Sequence, residues 1–453
     1  MIKQLLHSEA DKLEKSKLSV VDDIGTVYIG DKHIFRAINA AYIPHVKELL
    51  ESGLIQELTL QGLFPQTEIS NQTIDGYELV LQHEKISRVI YPFEWSPEML
   101  RKAALCVLDV NECANRYGYE LKDAHPFNVV FKYAQPMFVD FGSIVRQKNS
   151  NMWLARSEFI SCYINNLLLV ENGFQSLYKN AFHLKGFSSD EIFRINNRLA
   201  NILGNSISNK IRYFTHYYKN GRLINNSKIE SKFKNNFIRM FVKFFLCSDF
   251  LPFRKESMSS LKSRLKRISL SHKTMWGNYH SDSKYLINNG DIKLPQRMEW
   301  VVGQVKKLPV STVIELAGNE GVLSRSIAEL PHIKEVICTD YDECAVDSLF
   351  LNLKKEKIYT SCFDFVNEIH EQILPERFNR FKSDMVIALA VTHHLVLTQQ
   401  YSIDYIFTTI SSFTKNISLL SLCHLVYGME ILHLNYPLGI QKSGLYPICK
   451  SII

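Results

Sequence analysis

Glu315, Gly318, Asn319, Gly321, Asp340 and Asp364 are spaced as a nucleoside-binding set, and the adjacent His393 and His394 follow as candidate proton acceptors. Asp340 lies about 25 residues after Glu315, near the interval at which an acid meets ribose hydroxyls after a glycine turn. A histidine titrates near working pH, so either His393 or His394 can take a proton from a hydroxyl or amine. Two neighbouring histidines cannot both face one pocket, and one of them also reads as an ordinary helix-start residue. A second set lies in the first third of the chain. Asp123 and Asn128 stand five apart on one loop and Asp140 ends the following strand, the arrangement that a base and two metal ligands require.

The flanking sequence says what must position these groups. A β-branched apolar run from Val313 ends in Glu315 and breaks at Gly318 and Gly321, and Leu323, Ile327 and Leu330 follow with helical spacing. That is strand, glycine turn, helix, the opening of a βαβ unit. Val336 to Asp340 reads as a second strand, Ser361 to Asp364 as the end of a third and Asp384 to Ala390 as a fourth. In the N-terminal third, Thr26 to Ile38 reads as a hairpin turning at Gly30 and Asp31. Ser96 and Pro97 open a helix running to about Tyr117, with Gly118 at its end.

The ordered strand ends resemble those of class I S-adenosylmethionine (SAM)-dependent methyltransferases. The resemblance implies a Rossmann-like α/β sheet in which Gly318 and Gly321 approach the methionine part of SAM. It implies that Asp340 takes the ribose hydroxyls and that Asp364 reads the adenine amine. Glu315, Asn319 and Ala390 complete the expected cofactor-binding set, and the strand end before His393 and His394 faces the sulfonium and the acceptor. Ala317 and Asn319 stand where two glycines are common in that family. The turn does not carry the dinucleotide fingerprint, which argues against NAD.

The segment from Leu121 through Asp123, His125, Pro126 and Asn128, followed by Asp140, Phe141 and Gly142, resembles the catalytic and metal loops of protein-kinase-like phosphotransferases. That resemblance implies an α+β domain in which Asp123 orients an acceptor hydroxyl while Asn128 and Asp140 hold magnesium, with Mg-ATP as the ligand. The hairpin lacks a glycine-rich phosphate loop. Arg36 takes the place nearest the family's lysine, with Glu48 or Glu51 as its expected helix partner, and Leu121 replaces a histidine. The combination is similar to a small bacterial family that includes nodulation-associated proteins of the NoeA type. It implies residues 1–150 as a kinase-like N-terminal region, 151–273 as its helical C-terminal part and a connector, and 274–417 as the SAM-binding domain. Trp276 to His280 reads either as an aromatic segment that closes over SAM or substrate or as packing alone.

Composition bounds the remainder. The chain has 453 residues, 46% of them apolar and 22% charged, enough for two or three full cores. The net charge of +7 draws partly on Arg254 to Arg267, where basic residues interleave with Met258, Leu261, Leu265 and Ile268 at helical spacing. A solvated basic helix face is one reading and an anionic partner the other. Nine cysteines without metal-type pairing suggest free thiols in a reducing cytoplasm. No signal peptide is evident, and Phe237 to Cys247 is too short and charged to span a bilayer. The expected activity is methyl transfer from SAM to a small-molecule or glycan-precursor acceptor, without clear nucleic-acid binding. The alternative is a kinase-like phosphotransferase or nucleotide-binding regulator, and a third reading is a non-catalytic scaffold in which Asp123 and Asn128 tie the loop together.

The C-terminus departs from expectation. Asn416 onward can start a strand, but Val426 to Ile453 is short for the closing strands and lacks a clear hairpin. Back-translated and shifted by one base, the chain from Asn416 admits a more apolar strand, Tyr-Ile-Phe-Ile-Glu-Phe-Met-Pro. Lys415 and Asn416 can be encoded by a run of adenines, where a one-base slip is easy. The expectation is an out-of-frame tail over 418–453, truncated C-terminal strands and an impaired enzyme.

Overall fold

The computed structural model describes residues 13–16, 23–147, 153–180, 186–188, 191, 257–270, 273–277, 279–280, 287–288, 291–292, 294–366, 377–389, 391–423 and 429–435. Most of the helical middle, the Phe237 to Cys247 segment, Ala390 and the end of the tail lie outside them. The chain divides into two compact units. The first comprises residues 1–87, 101–130 and 136–269; the second comprises 88–100, 131–135 and 270–453. The segments 88–100 and 131–135 thus pack with the C-terminal sheet, although the sequence reading places them in the N-terminal region.

The first unit is built on an antiparallel sheet. Its strands are β1 (Glu14–Lys15), β2 (Gly25–Ile29), β3 (His33–Ile38), β4 (Thr67–Ile69) and β5 (Leu79–Glu84), in the order β1-β2-β3-β5-β4. The expected hairpin is present, with Val27 opposite Arg36. Helices α1 (Ile43–Glu51) and α2 (Leu54–Leu60) bury Val46, Leu49, Leu54, Ile55 and Leu58. Helix α3 (Pro97–Arg116) leads through Gly118, whose φ of +76° suits a residue without Cβ, into β6 (Tyr119–Leu121). Hairpin β7 (Val129–Lys132) and β8 (Gln135–Phe138) and then β9 (Ile144–Arg146), paired with β6, frame the loops carrying Asp123, Asn128 and Asp140. Helices α4 (Arg156–Phe159), α5 (Asn165–Glu171), α6 (Gln175–Asn180) and α7 (Met258–Arg267) complete its described part.

Helix α7 carries the described part of the basic segment. Ser257 caps it, Leu261 and Leu265 are buried, and Lys262 Nζ reaches Asp109 Oδ1 at 2.6 Å and Glu112 Oε2 at 2.5 Å. One of its basic side chains is therefore spent on α3, as a packed amphipathic helix requires.

The second unit opens with a short ladder of β10 (Ile287–Asn288) and β11 (Asp291–Ile292), then α8 (Gln296–Val305). Its main sheet holds β12 (Thr312–Leu316), β13 (Glu335–Asp340), β14 (Ile358–Cys362), β15 (Ser383–Ala388), β16 (Thr414–Cys423) and β17 (Met429–Asn435). The order is β14-β13-β12-β15-β16-β17, and every pairing is parallel except β16 with β17. Connecting helices are α9 (Val322–Ala328), α10 (Glu343–Asn352), α11 (Arg377–Phe381), α12 (Thr392–Leu397) and α13 (Ile403–Ser411). Strand order reverses between β12 and β15, which opens a crevice at the carboxyl ends of those strands. Parallel strands covered on both faces read as continuous apolar runs, and Val313, Ile314, Val336, Ile337, Val386 and Ile387 are all fully buried.

The sheet adds one strand to the expectation. Met429–Asn435 pairs antiparallel with Ile417–Cys423 over seven positions, so among the described residues one strand follows β16 in the tail that was read as lacking a clear hairpin. A single extended strand can satisfy the exposed edge of β16, which the sequence pattern did not reveal.

The segment 88–95 is held to this sheet by two arginines. Arg88 Nε donates to Glu335 Oε1 at 2.6 Å, and Arg380 grips both oxygens of Glu94 at 2.6 and 3.0 Å. Arg88 and Arg380 also donate to backbone carbonyls of each other's segments. Paired, hydrogen-bonded and buried charges of this kind fix position more than they add stability.

Candidate nucleoside site and the loop cluster of the first unit

The turn after β12 is left-handed at three positions. Ala317 has φ +55°, Asn319 +52° and Gly321 +68°. Residues with a Cβ occupy two of these, at a cost that glycine would avoid. Gly318 is required for a different reason. A Cβ there would lie 2.5 Å from Cys338 Sγ and 2.9 Å from Glu315 Cδ. Glu315 itself is buried and accepts from Ser324 Oγ at 2.5 Å, and burial pushes its carboxyl up to about 7. In this arrangement Glu315 props the turn against α9.

Asp340 ends β13 directly beside the turn. Its Oδ2 accepts from the Asn319 backbone amide at 2.8 Å and its Oδ1 from the Asp342 amide at 2.8 Å. It is 5% exposed, and burial raises its carboxyl to about 6 against the lowering effect of those amides. Each oxygen retains a further acceptor position, the requirement for holding a vicinal diol.

Asn319 is 8% exposed and its amide orientation is set by Nδ2 donating to the Trp276 carbonyl at 2.8 Å. Its Oδ1 is buried without a hydrogen-bond partner. A buried acceptor of this kind calls for a donor from a ligand or water.

The expected aromatic segment is strapped across the same loops. Thr274 Oγ1 donates to Asp342 Oδ1 at 2.7 Å, and the His280 amide donates to Glu320 Oε2 at 2.7 Å. A Cβ at Gly277 would meet Cys344 Cβ at 2.7 Å, so only glycine passes so close to the start of α10. The Trp276 ring stands edge-on to His394, centroids 5.2 Å apart, and 5.6 Å from Tyr279. His394 thus joins the site through Trp276. His393 lies in α12, and its side chain is not among those described. Asp364 follows β14, half-buried, with its Oδ1 accepting from the Val366 amide at 3.1 Å.

Sequence reasoning missed Thr274, Asp342 and Glu320, which tie the strap to the loops, and Ser348, whose Oγ donates to Glu320 Oε1 at 3.1 Å from α10. Asp342 carried one available signal: two residues after a strand-end acid, it caps α10 by accepting from the amides of Cys344 and Ala345.

In the first unit the loops bring the second set close together. Asp123 Oδ1 accepts from the His125 amide at 2.7 Å, and Ser143 Oγ donates to the Asp123 carbonyl at 2.9 Å. Asp140 Oδ1 accepts from the Gly142 amide at 3.0 Å. The expected partnership of Arg36 with Glu48 or Glu51 is not found. Glu48 pairs with Arg146, and Arg36 faces Asp140, Nη2 to Oδ1 3.8 Å. The reason is geometric: Arg36 lies on β3 opposite Leu81 and is buried, while Glu48 is half exposed and meets Arg146 at the end of β9. Burial raises the Asp140 carboxyl, partly offset by Arg36. His83, packed near Arg36 and bonded to Thr67 Oγ1 at 2.8 Å, is pushed by burial down to about 3 and stays neutral.

The cysteines Cys106, Cys113, Cys162, Cys338, Cys344 and Cys362 are free thiols, as read from sequence. Among the described residues no helix is long and apolar enough to cross a membrane.

No family model matches the chain. It is 26% identical over 331 residues to the nodulation protein NoeA of Rhizobium meliloti (strain 1021), across 70% of this chain and 65% of that protein. The chain therefore spans about two thirds of its relative's length. Similar solved structures include the methyltransferase domain of bacterial CtHen1-C, 15% identical over 28% of this chain and 64% of that one, with a TM-score of 0.22. Another is a SAM-dependent methyltransferase from Clostridium acetobutylicum ATCC 824, 13% identical over 37% of this chain and 77% of that one, with a TM-score of 0.26.

Proposed function

We propose that the second unit is a SAM-dependent methyltransferase acting on a small-molecule or glycan-precursor acceptor. The observation that carries this reading is Asp340, held by the Asn319 and Asp342 amides at the carboxyl end of β13 beside the strand-order reversal. Ligands of open α/β sheets bind there, and an acid at that strand end suits a ribose. The orphaned Oδ1 of Asn319 adds an acceptor suited to an ammonium or hydroxyl donor of the same ligand.

Asp340 would hold the ribose, and Gly318, Asn319 and Gly321 would form the cradle for the amino-acid end. Asp364 would meet the adenine amine. Bound SAM supplies an activated methyl on a sulfonium. The chain's own work is then to orient the acceptor, exclude water beneath Trp276 and Tyr279, and accept a proton at a ring nitrogen of His394 or His393. A sulfonium is already a good leaving arrangement, so orientation carries most of this contribution.

The first unit is read as a kinase-like scaffold, supported by Asp123 and Asn128 on the loop before β7, Asp140 after β8, and Arg36 of the antiparallel sheet facing Asp140. Isothermal titration of the full chain with SAM and, separately, with Mg-ATP tests the assignment. SAM binding with none for Mg-ATP is the expected result. Mg-ATP binding without SAM binding would replace this reading with a phosphotransferase or nucleotide-binding regulator.

A further inference from the structure

The loop cluster of the first unit holds one feature that its resemblance to metal-dependent phosphotransferases does not anticipate. Asp140, the carboxylate placed to hold a metal, has a guanidinium 3.8 Å from its Oδ1, and that same oxygen accepts from the Gly142 amide. Arg36 reaches it from the inside. Its side chain is 9% exposed against 25% for Asp140, and it is anchored on β3 between β2 and β5. The remaining donors are sparse. Asp123 has one oxygen engaged by the His125 amide, and Asn128 offers a neutral amide. Among the described residues no three His, Cys, Asp or Glu side chains converge as metal ligands. Magnesium wants near-octahedral oxygen ligation with carboxylate charge to offset its own.

We infer that Arg36 is the resident cation of this cluster: its guanidinium neutralises Asp140 in place of a divalent metal, and the Asp123, Asn128, Asp140 site excludes magnesium and manganese. A divalent ion brought to Asp140 meets the like charge of a buried guanidinium that a strand holds in place. The backbone of Arg36 is fixed inside the sheet by pairing with β2 and β5, and its side chain is 9% exposed, so turning the guanidinium away from Asp140 means displacing groups packed around it. The first unit therefore lacks the metal that would bridge and neutralise nucleotide phosphates, and metal-bridged phosphoryl transfer is not its chemistry.

Manganese binding to the full chain, read by electron paramagnetic resonance with MnCl2 as the probe, tests this independently of SAM. The wild type and Asp140→Asn are expected to bind the same amount of manganese. Arg36→Met is expected to gain a bound-manganese signal that Arg36→Met/Asp140→Asn loses again. Arg36→Lys, which keeps the charge, is expected to gain none. Manganese bound by the wild type and lost in Asp140→Asn would overturn the inference. So would a folded Arg36→Met that gains no signal. Should Arg36→Met fail to fold, the comparison of wild type with Asp140→Asn still decides.

Discussion

The backbone amide of Asn319 donates to Asp340 Oδ2 at 2.8 Å, so the glycine turn and the strand-end acid of the second unit are one hydrogen-bonded object. The turn cannot shift without moving the acid, and the acid cannot be removed without freeing the turn. Asp342 completes the bond pattern by donating to Oδ1 while its own carboxylate accepts from Thr274.

Removing the carboxylate should therefore weaken SAM binding strongly. Charge-assisted hydrogen bonds contribute about 1.5–3 kcal/mol each, so Asp340→Ala should raise the Kd for SAM at least roughly tenfold. Titration calorimetry on a variant shown by circular dichroism to be folded checks this. Unchanged affinity would remove Asp340 from the site.

The same carboxyl makes binding pH-dependent. Burial raises Asp340 to about 6, and ribose hydroxyls donate best to its ionised form. Protons compete with the ligand, so affinity should be level above the folded-state value and fall as pH drops through it. Below it the expected slope is about tenfold per pH unit. Calorimetric titrations from neutral to mildly acid pH measure the slope, and a flat profile would count against ligand contact with Asp340.

Ala317 has φ +55°, a conformation that disfavours any residue with a Cβ. Ala317→Gly should stabilise the second unit by about 0.5–1 kcal/mol, the relief of strain being partly offset by a more flexible unfolded chain. Chemical denaturation read at both units resolves the effect. A destabilised variant would mean that the alanine methyl makes packing contacts worth more than the strain.

Asp347 on α10 accepts from the Glu98 amide at the start of α3 at 2.9 Å, both residues lying in the second unit. Burial raises its carboxyl to about 8. An acid with a raised folded-state value binds more protons folded than unfolded, so stability declines as pH rises from the ordinary carboxylate range to about 8 and is lowest above it. Asp347→Asn keeps an acceptor for Glu98 and cannot ionise. It should be more stable than wild type at alkaline pH, by roughly 1–3 kcal/mol, and show a flatter pH profile. Thermal unfolding across pH 5 to about 9 tests this; parallel profiles for the two proteins would exclude Asp347 as the titrating group.

The reading frame after Lys415 is open to direct test. A slip at Lys415 and Asn416 should appear on resequencing as codons that give Glu-Phe-Met-Pro in the shifted frame. The frame-restored protein should then bind SAM better than the chain as written. Codons that do not allow that reading exclude the slip and leave β17 as the native edge strand.

Much of the second unit was legible because its determinants are local. A buried parallel strand is mostly apolar, a turn carrying Gly318 and Gly321 punctuates it, and the helix behind shows a 3.6-residue period. Those constraints located β12, β13, β15 and the acid at Asp340. The hairpin at Gly30 and the long helix from Pro97 were readable for the same reason. Partner choice was not. Arg36 and Asp140 are separated by about a hundred residues, and neither carries a local sign of the other. Glu48 was the nearer guess by analogy, but the exposed helix face gave it to Arg146. The closing strand was missed because pairing with the free edge of β16 depends on what that edge lacks and not on a strong pattern in Met429–Asn435. Sequence by itself determined where strands, turns and acids lie, since each is written in neighbouring residues. Tertiary structure decided which charges meet, which acceptor at Asn319 is left open, and that residues 88–100 belong with the distant sheet. Those outcomes depend on burial and on distances between remote segments, which no local spacing encodes.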